Sequence, residues 1–365
     1  MVPSGISLYD GLPGLALFLA YLGDITGEEG HTELARAAFT NLKEQLQTEP
    51  SPVTGIGGFD GWGGLIYAYI HLGVLWQEPE LLEKASSFVD NLNKLVEKDT
   101  SFDIIAGAAG AIGALLSLYR IKPSTDILTA AKQCGDHLIR NAQKMASGLG
   151  WQTLDDDSKP LTGFSHGAAG IAWALLELAA VSGEKRFRDT ALEAIEYERS
   201  LFSPEMGNWP DLRDPAMFGK VAQEGVENYS MLWCHGAPGI GLGRLRTLSQ
   251  LDDKKIRAEI DAALKTTLEH GFGGSHCLCH GDLGNIELFV QAAEILQEAE
   301  WQQQVERLSA LILASIEQHG WQSGVPLGVE TPGLMTGLAG IGYGLLRLAQ
   351  PKRVPCVLIL ESPKN

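Results

Sequence analysis

A turn of the form x-Gly-x-x-Gly recurs seven times along the chain, and each time it runs straight into an apolar stretch of helical length. The turns begin at Gly11, Gly61, Gly107, Gly167, Gly236, Gly281 and Gly337, returning every 45 to 70 residues or so. A unit of that size cannot bury its own apolar face. A stack of such units can, and a stack that closes on itself needs no capping repeats. The repeats take up the whole chain, so residues 1–365 read as one domain.

Between the turns lie polar segments with charges at helical spacing, at 78–97, 184–199, 254–269 and 300–315. The stretches that follow the turns, such as 65–72, 171–180 and 286–296, are apolar nearly all round, as expected of helices packed on both sides. Each turn thus feeds an inner helix, and each polar segment supplies its outer partner. The expected fold is all-α, an (α/α)7 toroid of seven helical hairpins, fourteen helices in two concentric rings.

Composition limits the partners. The chain has 28 basic and 45 acidic residues, a net charge of -17 that repels phosphate and disfavours nucleic acid or an anionic membrane. The longest small or apolar uncharged run, 104–119, is broken by glycines and too short to span a bilayer. The N-terminus lacks the basic and apolar regions of a signal peptide, so a cytoplasmic protein is expected.

Five cysteines, at 134, 234, 277, 279 and 356, are odd in number and form no disulfide framework for so long a chain. Cys134 and Cys356 stand in apolar contexts and read as small buried hydrophobes. The others sit at the turns. If the seven turns are equivalent, the residue just before each first Gly faces the same mouth, and Asp10, Asp60, His166, His235 and His280 share that slot. One position earlier stand Cys234 and Cys279, and four residues before Gly107 stands Asp103. Inner-helix N-termini aimed at this mouth favour thiolate and carboxylate there.

Cys234 from the fifth turn with Cys279 and His280 from the sixth make two thiolates and an imidazole, a zinc set that leaves the fourth tetrahedral position open. The spacing matches no zinc-finger pattern, so the assignment rests on the repeat alignment. Cys277 or His235 can stand in as ligand on spacing alone, with His276 a weaker choice. Asp10 and Asp60 read as helix caps.

Several runs resemble the lanthionine synthetase C-like cyclases, and among them the C-terminal cyclase domain of class II lanthipeptide synthetases. They are Ser7-Leu-Tyr-Asp-Gly-Leu-Pro-Gly14, Gly163-Phe-Ser-His-Gly167, Asn208-Trp-Pro-Asp-Leu-Arg213, Trp233-Cys-His-Gly-Ala-Pro-Gly239, Cys279-His-Gly281 and Gly324-Val-Pro-Leu-Gly-Val-Glu-Thr-Pro-Gly333. The resemblance implies an (α/α)7 toroid with one zinc ion per chain held by Cys, Cys and His. It also implies that Cys thiols of a ribosomal precursor peptide are added across dehydroalanine or dehydrobutyrine, closing lanthionine and methyllanthionine rings.

By the same resemblance His166 is the general acid/base and Asp103 assists or orients it. The dehydrated precursor peptide is the implied partner, with a covalently or functionally linked dehydratase domain to supply it. Because the chain begins almost at the first repeat, it is expected to be a domain excised from a larger synthetase. Two departures stand out: His235 occupies a position that is Tyr in many free-standing relatives, and Asn228-Tyr229-Ser230 stands where they place an Arg. Arg213, distant along the chain, is the cation that could stand in for it. Segments 147–164 and 203–230, with Trp151, Trp209 and Asp155 to Asp157, read as borders of a peptide groove or, equally for the first, as surface loops connecting outer helices.

Two rival functions follow from the same residues. A toroidal glycosidase would use opposed carboxylates such as Asp10 and Asp60 and has no place for the thiols. A zinc- and thiol-binding interaction protein of this family would keep the metal without cyclising peptide.

Overall fold

The computed structural model describes residues 5–154, 159–214 and 228–364. Seven inner helices follow the seven turns: α1 (Leu12–Thr26), α3 (Trp62–Leu75), α5 (Ala108–Ile121), α7 (Ala168–Ser182), α9 (Ala237–Thr247), α11 (Asp282–Leu296) and α13 (Leu338–Ala349). Six outer helices alternate with them: α2 (Glu29–Gln45), α4 (Pro79–Asn93), α6 (Thr125–Asn141), α8 (Lys185–Arg199), α10 (Lys254–His270) and α12 (Ala299–His319). Each outer helix packs on the inner helix before it, each inner helix packs on the next, and α13 returns to α1. The ring is closed, as the repeats predict.

The turn chemistry explains why the motif recurs. In every repeat the first Gly is the N-cap of the inner helix, so the N-cap residue itself has no side chain with which to cap it. The second Gly is where the loop folds back beneath the helix. A Cβ there would lie 1.9 Å from the Ile104 carbonyl oxygen at Gly110 and 1.7 Å from that of Leu334 at Gly340. The acceptor stands six residues before the second Gly in both cases. Only glycine tolerates so close an approach.

Burial follows the two-ring pattern. Helix α7 is buried continuously from Ala168 to Leu178, whereas α12 buries only Leu308 and Ile312. Two outer helices carry side-chain caps, Ser124 on α6 and Asp253 on α10. A short antiparallel pair, Gln143–Lys144 with Leu149–Gly150, was not foreseen.

The seventh hairpin departs from the expected fourteen helices. Among the described residues no outer helix follows α13. The chain instead climbs the axis of the ring, with Val354, Cys356, Val357, Leu358, Ile359 and Leu360 all 2% exposed or less. Tyr343 donates to the Pro355 carbonyl at 2.9 Å and Tyr67 to that of Glu361 at 3.0 Å. The Leu360 side chain reaches the second and third repeats, 2.5 Å from where a Cβ on Gly58 would stand. Burying this apolar tail inside the ring removes from water side chains that a surface segment would leave exposed. Cys134 and Cys356 are both buried, as their contexts predict.

Candidate metal centre

The turns are joined edge to edge by backbone hydrogen bonds that run once round the ring. Leu8 N–H donates to Phe59 O, Gly58 to Ile104, Ile104 to Ser165, Phe164 to Cys234, Cys234 to Cys279, Cys279 to Met335, and Met335 back to Tyr9, at 2.8 to 3.3 Å. This belt places corresponding residues of successive turns side by side. It therefore sets Cys234 next to Cys279.

The two thiols are in hydrogen-bond contact, and His280 contacts both Cys279 and Cys277. The Cys279 thiol is pushed up, first by its hydrogen bond with Cys234 and then by burial, because two adjacent thiols resist ionising together. Contacts with Cys277 and then Cys279 push the His280 imidazole up to about 11. His280 donates its Nε2–H to the Gly324 carbonyl at 2.9 Å, which leaves Nδ1 as the nitrogen not held by that carbonyl. Tyr9 donates its hydroxyl to Cys279 Sγ at 3.0 Å. Burial, then the neighbouring Cys279, holds the Tyr9 phenol well above its usual range, so it stays a donor.

Across the same mouth, His166 Nδ1 and Asp103 Oδ2 are 2.5 Å apart. The other Asp103 oxygen accepts from the amides of Ala106 at 2.8 Å and Gly107 at 3.1 Å. Asp103 is 2% exposed, while the His166 side chain is 28% exposed. A buried carboxylate thus fixes the ring from behind and turns Nε2 toward solvent. His166 lies stacked on His235, with ring centroids 5.9 Å apart.

A cavity of about 420 Å³ joins the two groups, lined by Tyr9, His166, Arg213, Cys234, His235 and Cys279 among others. Arg213 holds Asp211 through Nε at 2.9 Å and Nη2 at 2.6 Å. Burial alone would raise the Asp211 carboxyl, but these hydrogen bonds, with the charge of His235 where acid protonates it and the charge of Arg213, bring it down to about 2. Burial and then the Arg213 cation press His235 down to about 3, so its imidazole is neutral. Among the described residues neither His235 ring nitrogen has a hydrogen-bond partner, and Nδ1 stands 3.9 Å from Asp211.

All five expected site residues, His166, Asp103, Cys234, Cys279 and His280, gather at this mouth. Among the alternatives, His276 engages both nitrogens elsewhere, with Ser315 Oγ at 3.0 Å and the Gln322 amide at 3.1 Å. Among the described residues no group of three or more His, Cys, Asp or Glu side chains is placed so that it could hold a metal ion. Cys234, Cys279 and His280 meet instead as hydrogen-bonded neighbours, and it is the chemistry of that donor set that suits zinc.

Other expectations are corrected. Asp10 and Asp60 cap neither α1 nor α3; Asp10 instead accepts from the Thr336 hydroxyl at 3.0 Å, tying the first turn to the seventh. Trp151 and Trp209 border no groove, because both are fully buried in the core. Asn208 beside Trp209 accepts from the Ala237 amide at the start of α9, so this run braces the fifth turn. Asp155 to Asp157 and residues 215–227 lie outside the described residues.

Tyr9 was missed as a partner of the site. The signal was present, since Tyr9 holds in the first turn the position that Cys234 and Cys279 hold in theirs. Asp211, as the anchor of Arg213, had no such signal.

The comparisons with known proteins agree with the toroidal fold. The chain is 25% identical over 94% of its length to the lacticin 481/lactococcin biosynthesis protein LcnDR2 of Lactococcus lactis subsp. lactis, and it spans 36% of that relative. It is 23% identical to the nisin biosynthesis protein NisC of the same organism, over 92% of this chain and 83% of NisC. The solved structure of nisin cyclase superposes with a TM-score of 0.73 at 20% identity, covering 97% of this chain and 92% of that one, which establishes the shared toroid. The family model described as lanthionine synthetase C-like protein matches residues 2–359, and with that span the chain belongs to the lanthionine synthetase C-like family.

Proposed function

We propose that this protein closes lanthionine and methyllanthionine rings in a dehydrated ribosomal precursor peptide, with one zinc ion held by Cys234, Cys279 and His280. The observation that carries the reading is the meeting, on one cavity, of a thiol and imidazole cluster from two turns with a carboxylate-oriented histidine from a third. The names of the relatives from lacticin and nisin biosynthesis support it.

Zinc bound to two thiolates and one imidazole would supply the Lewis acidity that keeps a substrate thiol ionised at neutral pH. The protein's own residues do the rest. Asp103 holds the His166 Nδ1 proton, so Nε2 takes the proton released by the substrate thiol. The sulfur forms a bond to the β-carbon of the dehydro residue, and the alkene electron pair moves toward the carbonyl oxygen. Arg213, oriented by Asp211, puts a cation on the same cavity and stabilises that developing charge. His166 then returns its proton to the α-carbon, which completes the addition with no atom gained or lost. The dehydro residues must come from a dehydratase, linked or separate, and the setting proposed is the cytoplasm.

Metal content of the wild type beside Cys279→Ala and Cys134→Ala is the first test. Near-stoichiometric zinc lost only in the Cys279 variant supports the site. His166→Ala should keep its zinc and lose ring closure by about 10²- to 10⁴-fold, read by mass spectrometry after alkylation of remaining thiols. Undiminished ring closure would remove His166 from the mechanism. Zinc-loaded wild type that fails to cyclise dehydrated, Cys-bearing peptide would instead favour a thiol-binding protein without cyclase activity.

A further inference from the structure

The seventh turn contributes Thr336 at the shared slot and no thiol or imidazole. It nevertheless reaches the metal centre through the loop before it. The Gly324 amide donates to the Thr336 carbonyl at 2.7 Å, which fixes the loop to the turn. The Gly324 carbonyl accepts from His280 Nε2 at 2.9 Å. A Cβ at position 324 would stand 2.5 Å from His280 Nε2 and 2.6 Å from Cys277 Sγ, both far inside contact distance. The carbonyl can approach the imidazole only because this residue has no side chain.

We propose that Gly324 is a positioning residue for His280: its carbonyl holds the Nε2 proton, so the ring presents Nδ1 to the metal. This rests on the zinc reading above. A ligating histidine whose second nitrogen is held by a carbonyl is fixed in both tautomer and orientation, and loss of such a partner typically costs 10- to 100-fold in metal affinity. Any side chain at 324 would push the imidazole away from the carbonyl and so release the nitrogen that fixes the ring.

Two measurements test this. In the zinc-loaded wild type, nitrogen NMR of ¹⁵N-labelled histidine should find His280 metallated at Nδ1 with a slowly exchanging Nε2 proton. Metallation at Nε2 overturns the inference while leaving the zinc site itself intact. In parallel, zinc affinity is measured by chelator competition for the wild type, Gly324→Ala, and Gly30→Ala, a control whose added Cβ meets nothing within 4 Å. The expected result is affinity about 10- to 100-fold weaker in Gly324→Ala alone, with the thermal midpoint of its metal-free form near that of the wild type. Equal affinity in all three overturns the inference, and the NMR arm decides it should Gly324→Ala fail to fold. A wild type that binds no zinc removes the zinc reading and this inference with it.

Discussion

Two buried carboxylates at the mouth show how differently one functional group is used. Asp103 divides its oxygens between two amides and His166, holding a turn and a ring together. Asp211 is committed to Arg213 and to the Ser230 hydroxyl. Its folded value of about 2 lies below the ordinary 3.8, so the unfolded chain takes up its proton first as pH falls. The stability Asp211 contributes is therefore full above pH 3.8 and lost as pH drops through about 2. Denaturant melts of wild type and Asp211→Asn across this range should differ most above pH 4 or so and converge toward pH 2 or so. A difference that does not change with pH would mean that Asp211 acts through packing and not through its charge.

At the level of elements, helix identity follows from the glycine turns more than from helix propensity. Inner helices such as α5 and α7 are largely apolar and start at a Gly that has no side chain to cap them, so the entering loop must tuck under the first turn of the helix. The second Gly of the motif is where that happens. Gly110→Ala should destabilise the protein by about 3 kcal/mol, since the added Cβ would meet the Ile104 carbonyl at 1.9 Å and the Gly58 amide nitrogen at 2.4 Å. Gly30→Ala, on the outer helix α2 with open space around it, should stabilise by about 0.5 kcal/mol through lost freedom of the unfolded chain. Equilibrium urea unfolding measures both. Equal effects at the two positions would show that the turn tolerates a side chain after all.

For the molecule as a whole, two closures matter. The hydrogen-bond belt joins the seventh turn to the first, and the C-terminal tail fills the axis. Val354, Val357, Leu358, Ile359 and Leu360 are all buried there. At about 1.5 to 3 kcal/mol for each aliphatic side chain, their burial is comparable to the total stability of an ordinary domain, about 5 to 15 kcal/mol. Removal of residues 354–364 should therefore abolish cooperative unfolding, with loss of near-ultraviolet circular dichroism and gain of dye binding to exposed apolar surface. A truncated chain that melts cooperatively near the wild-type midpoint would show that the ring stands without its tail. The acidic surface acts at this scale too: a net charge of -17 suits a neutral or basic peptide better than a nucleic acid.

What the sequence by itself determined was everything that repeats. A glycine turn and the helix it starts are local features with a fixed order of residues, so seven of them reveal the toroid, and aligning them brings Cys234, Cys279, His280 and His166 to one mouth. What only the tertiary structure decided was everything that depends on closure. Tyr9 meets Cys279 across 270 residues. Gly324 reaches His280 from another repeat, and Arg213 turns to the cavity because Asp211 holds it. The tail takes the place of a fourteenth helix because the axis of the ring offers apolar surface that exists only once all seven repeats have assembled. Apart from Tyr9, whose slot the aligned turns give, such contacts join residues with no common spacing, so no periodicity along the chain can announce them.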